Sequence, residues 1–198
     1  MSAPNLFFST PVWASKAKNY KETNEEIYKY IKKLQTEDND GIIKSNVKGW
    51  HSKDFDLKNS VVIKFINLIS PNINQVIKDM QWDINSQTVK ITSMWSIINT
   101  GGSSNARHHH GNSDISAAYY VRAPENSGEI VFYDPRPAPV FSHPSSTKPN
   151  SLNAMVNSIN PAEGGLVLFP SYLDHSVNEN LSNEERIVIS FNISLLRK

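Results

Sequence analysis

Cysteine is absent from this 198-residue chain, which excludes disulfides and thiolate metal sites, so any metal must be held by nitrogen and oxygen. The same absence fits a reducing compartment. Neither sign of charge prevails: 20 Lys and Arg stand against 19 Asp and Glu, a net charge of +1, interspersed along the chain. That balance gives no electrostatic reason to propose nucleic acid or a membrane surface as partner. Apolar runs of membrane-spanning length are missing, and the start, Met1 to Phe8, lacks the basic segment and long apolar run of a signal peptide. A cytoplasmic protein is the expectation. The length suits a single domain over residues 1–198 that can bury a real core.

The periodicity divides the chain into a helical support region, 1–81, and a β-rich region, 82–198. Thr23-Asn24-Glu25-Glu26 has the form of a capping box, and Ile27, Ile31 and Leu34 follow it at helical spacing. Asp38-Asn39-Asp40-Gly41 then predicts a stop. A second helix is expected over Leu57 to Leu68, and Ser70-Pro71 reads as the cap and first position of a third, running through Val76 to Met80. From Trp82 onward short strands are expected at Val89–Ile97, Ile115–Arg122, Glu129–Tyr133, Gly165–Phe169 and Arg186–Ile193. Many short strands between turns predict a sandwich or barrel. The polar, Pro-rich stretch from Pro135 to Pro161 reads as a functional loop over a site, with His143 solvated in it.

Three spaced elements carry chemistry: His108-His109-His110, His175, and Arg186 eleven residues after it. Histidines one residue apart on an extended segment point to the same side, leaving His109 to point the other way. A third histidine from a distant strand can close a facial ligand set with open positions opposite, as iron-dependent oxygenases require. On the last strand Ile187, Ile189, Phe191 and Ile193 share one face, while Arg186, Val188, Ser190 and Asn192 share the other. A face bearing Arg, Ser and Asn needs either water or polar partners.

Several blocks resemble a family of 2-oxoglutarate- and iron-dependent oxygenases from bacteria and phages. They are Asn105-x-x-His108-x-His110-x-x-Ser113-x-Ile115-Ser116-x-x-Tyr119-Tyr120-Val121, Ser127-Gly128-x-Ile130-x-Phe132-x-Asp134-Pro135-Arg136, Leu168-Phe169-Pro170-Ser171-x-Leu173-x-His175-x-Val177 and Arg186-Ile187-x-Ile189-Ser190-Phe191-Asn192. Ser45-Asn46-x-x-Gly49-Trp50-His51-Ser52 is similar to that family's N-terminal block, so the resemblance runs from about Leu6 to Asn192. It implies a mainly β protein with N-terminal helices and a double-stranded β-helix core, a cupin-like jelly roll akin to the prolyl hydroxylases. It further implies Fe(II) and 2-oxoglutarate as cofactors, O2 as reactant, hydroxylation of a substrate, and release of succinate and CO2. By the same resemblance His108, His110 and His175 hold the iron, and Arg186 takes the distal carboxylate of 2-oxoglutarate, aided by Tyr120, Ser190 and Asn192.

Most oxygenases of the wider superfamily place a carboxylate second, as His-x-Asp, where this chain has His110. A triad of three histidines is neutral, leaves the ion its full double charge, and can equally hold zinc with one water. Asp114 is the alternative second-position ligand. Trp50, His51, Asn105 and Arg136 are candidate substrate-binding residues, and Trp95 is core or cleft wall. Two other readings stay open at this point: a zinc or other metal hydrolase or isomerase, and a non-catalytic metal-binding jelly roll. A homodimer is a further possibility.

Overall fold

The computed structural model describes residues 3–137 and 144–198. Among the described residues two helices, α1 (Tyr20–Glu37) and α2 (Ser60–Asp79), accompany eleven strands. These are β1 (Trp13–Lys16), β2 (Asn46–Val47), β3 (Trp50–His51), β4 (Gln87–Asn99), β5 (Ser104–His108) and β6 (Ile115–Arg122), followed by β7 (Ile130–Tyr133), β8 (Val156–Ile159), β9 (Gly165–Pro170), β10 (His175–Val177) and β11 (Arg186–Arg197). They form two antiparallel sheets, a larger one in the order β1-β9-β6-β11-β4-β3 and a smaller one in the order β2-β5-β10-β7-β8. This is the two-layered sandwich expected from the strand pattern, and the jelly roll that the resemblance implies.

Alternation along each strand of the larger sheet feeds two separate cores. Ile187, Ile189, Phe191 and Ile193 of β11 pack with Tyr119, Leu166, Leu168 and the apolar stripes of both helices. On the opposite face Val188, Tyr120, Val167 and Phe169 meet Ile130 and Phe132 of the smaller sheet. The helices therefore cover the outside of the larger sheet, while its inside faces the site.

The helices depart from expectation in two ways. α1 begins at Tyr20, entered from Asn19 in the left-handed region (φ 53), so Thr23 is not its cap. Thr23 is instead buried, and the neighbouring Asn24 donates from Nδ2 to Val121 O at 3.1 Å. α2 is one helix where two were expected: Pro71 lies inside it, and the true cap is Asn59, which accepts from Val61 N–H at 2.9 Å. Proline costs an interior helix one hydrogen bond. Here the apolar stripe Val62, Phe65, Ile69, Ile73, Val76 and Ile77 is buried continuously across Pro71 and outweighs that loss. The stop at Asp38 is as predicted.

The expected strands are all present, β4 and β11 being longer than predicted. The stretch from Pro135 to Pro161 is not all loop, since β8 lies within it and pairs with β7. Residues 138–143 of that stretch, His143 included, lie outside the described residues. No helix among the described residues is long and apolar enough to cross a membrane.

Candidate metal and anion site

His108 is the last residue of β5 and His175 the first of β10, and the two are direct partners across the antiparallel ladder. His110 lies two residues beyond the end of β5, where its N–H donates to Ser171 O at 2.9 Å. One ring nitrogen from each of His108, His110 and His175 falls within 4.8 Å of the others. His108 and His175 have ring centroids 4.3 Å apart, and His110 stacks on His175 at 5.2 Å with 7° between planes.

Backbone carbonyls set the ring orientations. Nδ1–H of His108 donates to Ala106 O at 2.8 Å, and that of His175 to Leu173 O at 2.9 Å. Each bond places the proton on Nδ1 and leaves Nε2 with its lone pair free, the state in which imidazole ligates a metal. Burial drives the His110 pKa down to about 4 and that of His175 to about 3, with repulsion from the neighbouring histidines adding to it. Three neutral nitrogen donors thus converge on one point. This donor set fits a divalent first-row metal.

Asp114 is not in this cluster. Its Oδ2 accepts from Leu195 N–H at 2.7 Å, so the carboxylate is turned toward β11 and closes the end of the sheet.

All three histidines line a cavity of about 610 Å³, and so does Arg186. Arg186 is 1 % exposed. Its Nη1 donates to the carbonyls of Ser127 and, at 2.9 Å, of Gly128, while Nε is buried without a partner. No carboxylate among the described residues forms an ion pair with it. Burial lowers the guanidinium pKa to about 10, with nearby Tyr120 acting in the opposite direction. A buried cation whose partners among the described residues are carbonyls is left with its charge uncompensated by them, which favours an anion in the cavity.

Gly128 shapes this cradle: at φ +87, a Cβ there would lie 2.2 Å from Asn178 O. Its Ser127-Gly128 turn belongs to a motif visible in the sequence, but its role as the seat of Arg186 depends on the chain returning from β7 to β11. No local pattern could have signalled it.

The tyrosine pair divides as alternation requires. Tyr120 lines the cavity opposite Val188, its hydroxyl pKa raised to about 12 by burial against the opposing effect of Arg186. Tyr119 points to the helices, where its hydroxyl donates to Asn24 Oδ1 at 2.6 Å. Ser190 also lines the cavity, but Asn192 does not. Asn192 is engaged by Ser116 and Ser93, its Oδ1 accepting at 2.8 Å and its Nδ2 donating at 3.1 Å.

The four candidate substrate residues also separate. His51 and Asn105 line the cavity. Asn105 is already bonded to Asn99 and Ser45. His51 is buried, donates from Nδ1 to Ser52 O at 2.7 Å, and stacks on Trp95 with centroids 5.7 Å apart. Trp95 in turn stacks on His110 at the same distance, so one row of rings leads from His51 to the triad. Trp50 faces the other way: it packs in the helix-side core and donates from Nε1 to Asp38 O at 2.8 Å. Its neighbour His51 takes the cavity side because adjacent strand residues alternate. Arg136 is exposed, paired with Asp134 at 2.8 Å, and is not among the cavity-lining residues.

Residues 93–192, half of the chain, match the family model of 2OG-Fe(II) oxygenases. No curated protein matches the sequence. Among solved structures, a prolyl-4-hydroxylase from Pseudomonas putida is 10 % identical, with a TM-score of 0.67 over 96 % of this chain and 94 % of that one. The viral collagen prolyl hydroxylase of Paramecium Bursaria Chlorella virus-1, in complex with 2OG, is 12 % identical, with a TM-score of 0.59 over 93 % and 96 %. HygX from Streptomyces hygroscopicus, with nickel and 2-oxoglutarate bound, is 11 % identical, with a TM-score of 0.63 over 94 % and 83 %. These likenesses concern the fold.

Proposed function

This chain belongs to the 2OG-Fe(II) oxygenase family, and we propose that His108, His110 and His175 hold its Fe(II) while Arg186 binds the distal carboxylate of 2-oxoglutarate. Arg186 carries the reading. It is a deeply buried cation with an unpartnered Nε and no ion pair among the described residues, in the cavity on which three imidazoles converge. A dicarboxylate that chelates a metal at one end and meets a guanidinium at the other satisfies both halves of the site.

When bound, the iron and its co-substrate supply the oxidation: O2 is consumed, 2-oxoglutarate is converted to succinate and CO2, and an oxygen atom enters a substrate C–H bond. The residues of this chain do the rest. The carbonyls of Ala106 and Leu173 hold two imidazoles in the ligating tautomer, and Ser127 and Gly128 fix the guanidinium. Tyr120 and Ser190 offer hydroxyl groups along the same wall. Asn192, being outside the cavity, has no part in this assignment.

Hydroxylation is the reaction we assign. The substrate enters on the side of His51: with Nδ1 engaged by Ser52 O, Nε2 of this cavity-lining ring is the nitrogen left to accept a hydrogen bond from a substrate N–H or O–H group, and Asn105 lines the same cavity. Absence of cysteine is consistent with a cytoplasmic setting, and the open outer edges of β8 and β1 are where a homodimer would form.

The test is an anaerobic titration of Fe(II)-loaded protein with 2-oxoglutarate, following the visible charge-transfer band. A saturable band that needs both components, and that Arg186→Ala abolishes without loss of iron, is expected. Zinc binding with no affinity for the oxo acid would overturn the assignment and point to a metal hydrolase or isomerase on the same roll. Metal binding without oxo acid turnover under any condition would point to a non-catalytic module.

A further inference from the structure

On an extended segment, the residues flanking an inward side chain point outward. Arg107 and His109 flank His108, Asp174 precedes His175, and the three meet beside the triad, Arg107 and His109 also bordering its cavity. Arg107 donates to Asp174 Oδ2 from Nε at 2.9 Å and from Nη2 at 2.7 Å. Nδ1 of His109 lies 3.1 Å from Asp174 Oδ1. One carboxylate therefore uses both oxygens to hold the two neighbours of His108. The Arg107 guanidinium also lies 4.1 Å from the ring centre of Tyr133, the last residue of β7.

The backbone leaves this tie something to do. His108 and His175 are held in register by the β5–β10 ladder, but β5 ends at His108. Past that point the segment bearing His110 is joined to the fold by isolated bonds, His110 N–H to Ser171 O, Ser171 N–H to Asp114 O and Asp114 N–H to Ile193 O, and by the stacking of His110 on Trp95. No ladder sets the spacing of His110 from the other two rings. Asp174 immediately precedes His175, and its partners bracket His108 and immediately precede His110, so its bonds link both ligand-bearing segments directly.

We propose that Asp174, through Arg107 and His109, is a positioning residue that holds His110 at ligating distance from His108 and His175. The proposal rests on the reading that these three histidines bind the metal. Exposed ion pairs add little to folding stability. The consequence of this one is geometric: it narrows the range over which the third ligand moves and so slows release of the metal.

The test is metal release from loaded protein into excess chelator, read beside the thermal midpoint of the metal-free protein. Asp174→Ala is expected to release metal roughly 10–100-fold faster than the parent, the range typical of outer partners of metal ligands. Asp174→Asn, which keeps one acceptor oxygen, should fall between. A residue serving general stability alone would lower the metal-free midpoint and leave release unchanged. Release from Asp174→Ala at the parental rate overturns the proposal. Should that variant not fold, the double variant Arg107→Ala/His109→Ala removes both donors from exposed positions, and parental release there overturns it equally. His175→Ala separates the two levels: full metal retention in that variant would remove the ligand assignment itself, whereas metal loss there with unchanged release from Asp174→Ala would remove only the tie.

Discussion

His175 and His108 face each other across the β10–β5 ladder with ring centroids 4.3 Å apart, although 67 residues separate them in the chain. Antiparallel pairing places them together, and each ring is then turned by a carbonyl two residues before it. Pairing and orientation are thus both backbone properties, which leaves Nε2 of each imidazole free for a metal.

Alanine at His108, His110 or His175 is expected to abolish stoichiometric metal binding, measured by elemental analysis after loading and desalting. Asp114→Ala should keep its metal. Its effect is on stability, since Leu195 N–H loses its acceptor, a change of about 0.5–1.5 kcal/mol in denaturant titration. Metal loss from Asp114→Ala with retention in His110→Ala would reverse the assignment.

Gly128→Ala tests the seat of Arg186. A Cβ at this position meets Asn178 O and demands a left-handed backbone, so the turn must shift. The expected result is a 2-oxoglutarate affinity at least about tenfold weaker, with metal content unchanged, and a folding free energy lower by roughly 1–3 kcal/mol. Parental co-substrate affinity would show that the cradle does not set the position of the guanidinium.

The adjacent tyrosines should respond oppositely. Tyr119→Phe leaves the Asn24 side chain short of a buried partner and should destabilise the fold by about 1–3 kcal/mol while co-substrate affinity is kept. Tyr120→Phe removes a hydroxyl from the cavity wall and should weaken 2-oxoglutarate binding by roughly 3–10-fold with little change in stability. Calorimetric titration and denaturation of both variants decide between these patterns.

Acid should weaken the metal-free protein well before its carboxylates titrate. His110 and His175 stay neutral in the fold down to about pH 4 and about pH 3, because burial and then neighbouring histidines oppose their charging. In the unfolded chain they take up protons below about pH 6.5. The unfolded state therefore binds more protons through that window. Stability is full above about pH 6.5 and is lost as the pH falls toward 3. Urea midpoints for metal-free protein should be lower at pH 5 than at pH 7.5, and His175→Asn should flatten the difference. Equal midpoints in the parent would contradict the depressed values.

Much of the site was legible because its signals are local. The alternation of β11 put Arg186, Val188 and Ser190 on the face opposite Ile187, Ile189 and Phe191, and the structure divides them in that way. Asn192 keeps to that face as well, bonded to Ser93 and Ser116 of the neighbouring strands, but it lies beyond the residues that line the cavity, and how far a cavity extends along a face leaves no trace in composition. Asp174 and Arg107 drew no notice because an acidic or basic residue beside a histidine reads as solvated surface until its partner is brought to it.

What this sequence determines alone is which residues share a face, since periods of 2 and 3.6 are properties of the local backbone. On that ground it separated Tyr119 from Tyr120, put Arg186 on one face with Val188 and Ser190 and paired His108 with His110. Tertiary structure decided everything that needed a second element. It joined two expected helices through Pro71, since the continuous apolar stripe of α2 is buried across the proline. It sent Trp50 to the core and His51 to the cavity, because β3 lies at the edge of the larger sheet with a helix layer on one side and the site on the other. It also turned the Asp114 carboxylate to a backbone N–H of β11, a partner that no sequence spacing could foretell. Faces follow from local geometry, whereas partners follow from long-range pairing, and pairing is fixed only when the whole chain buries its apolar faces together.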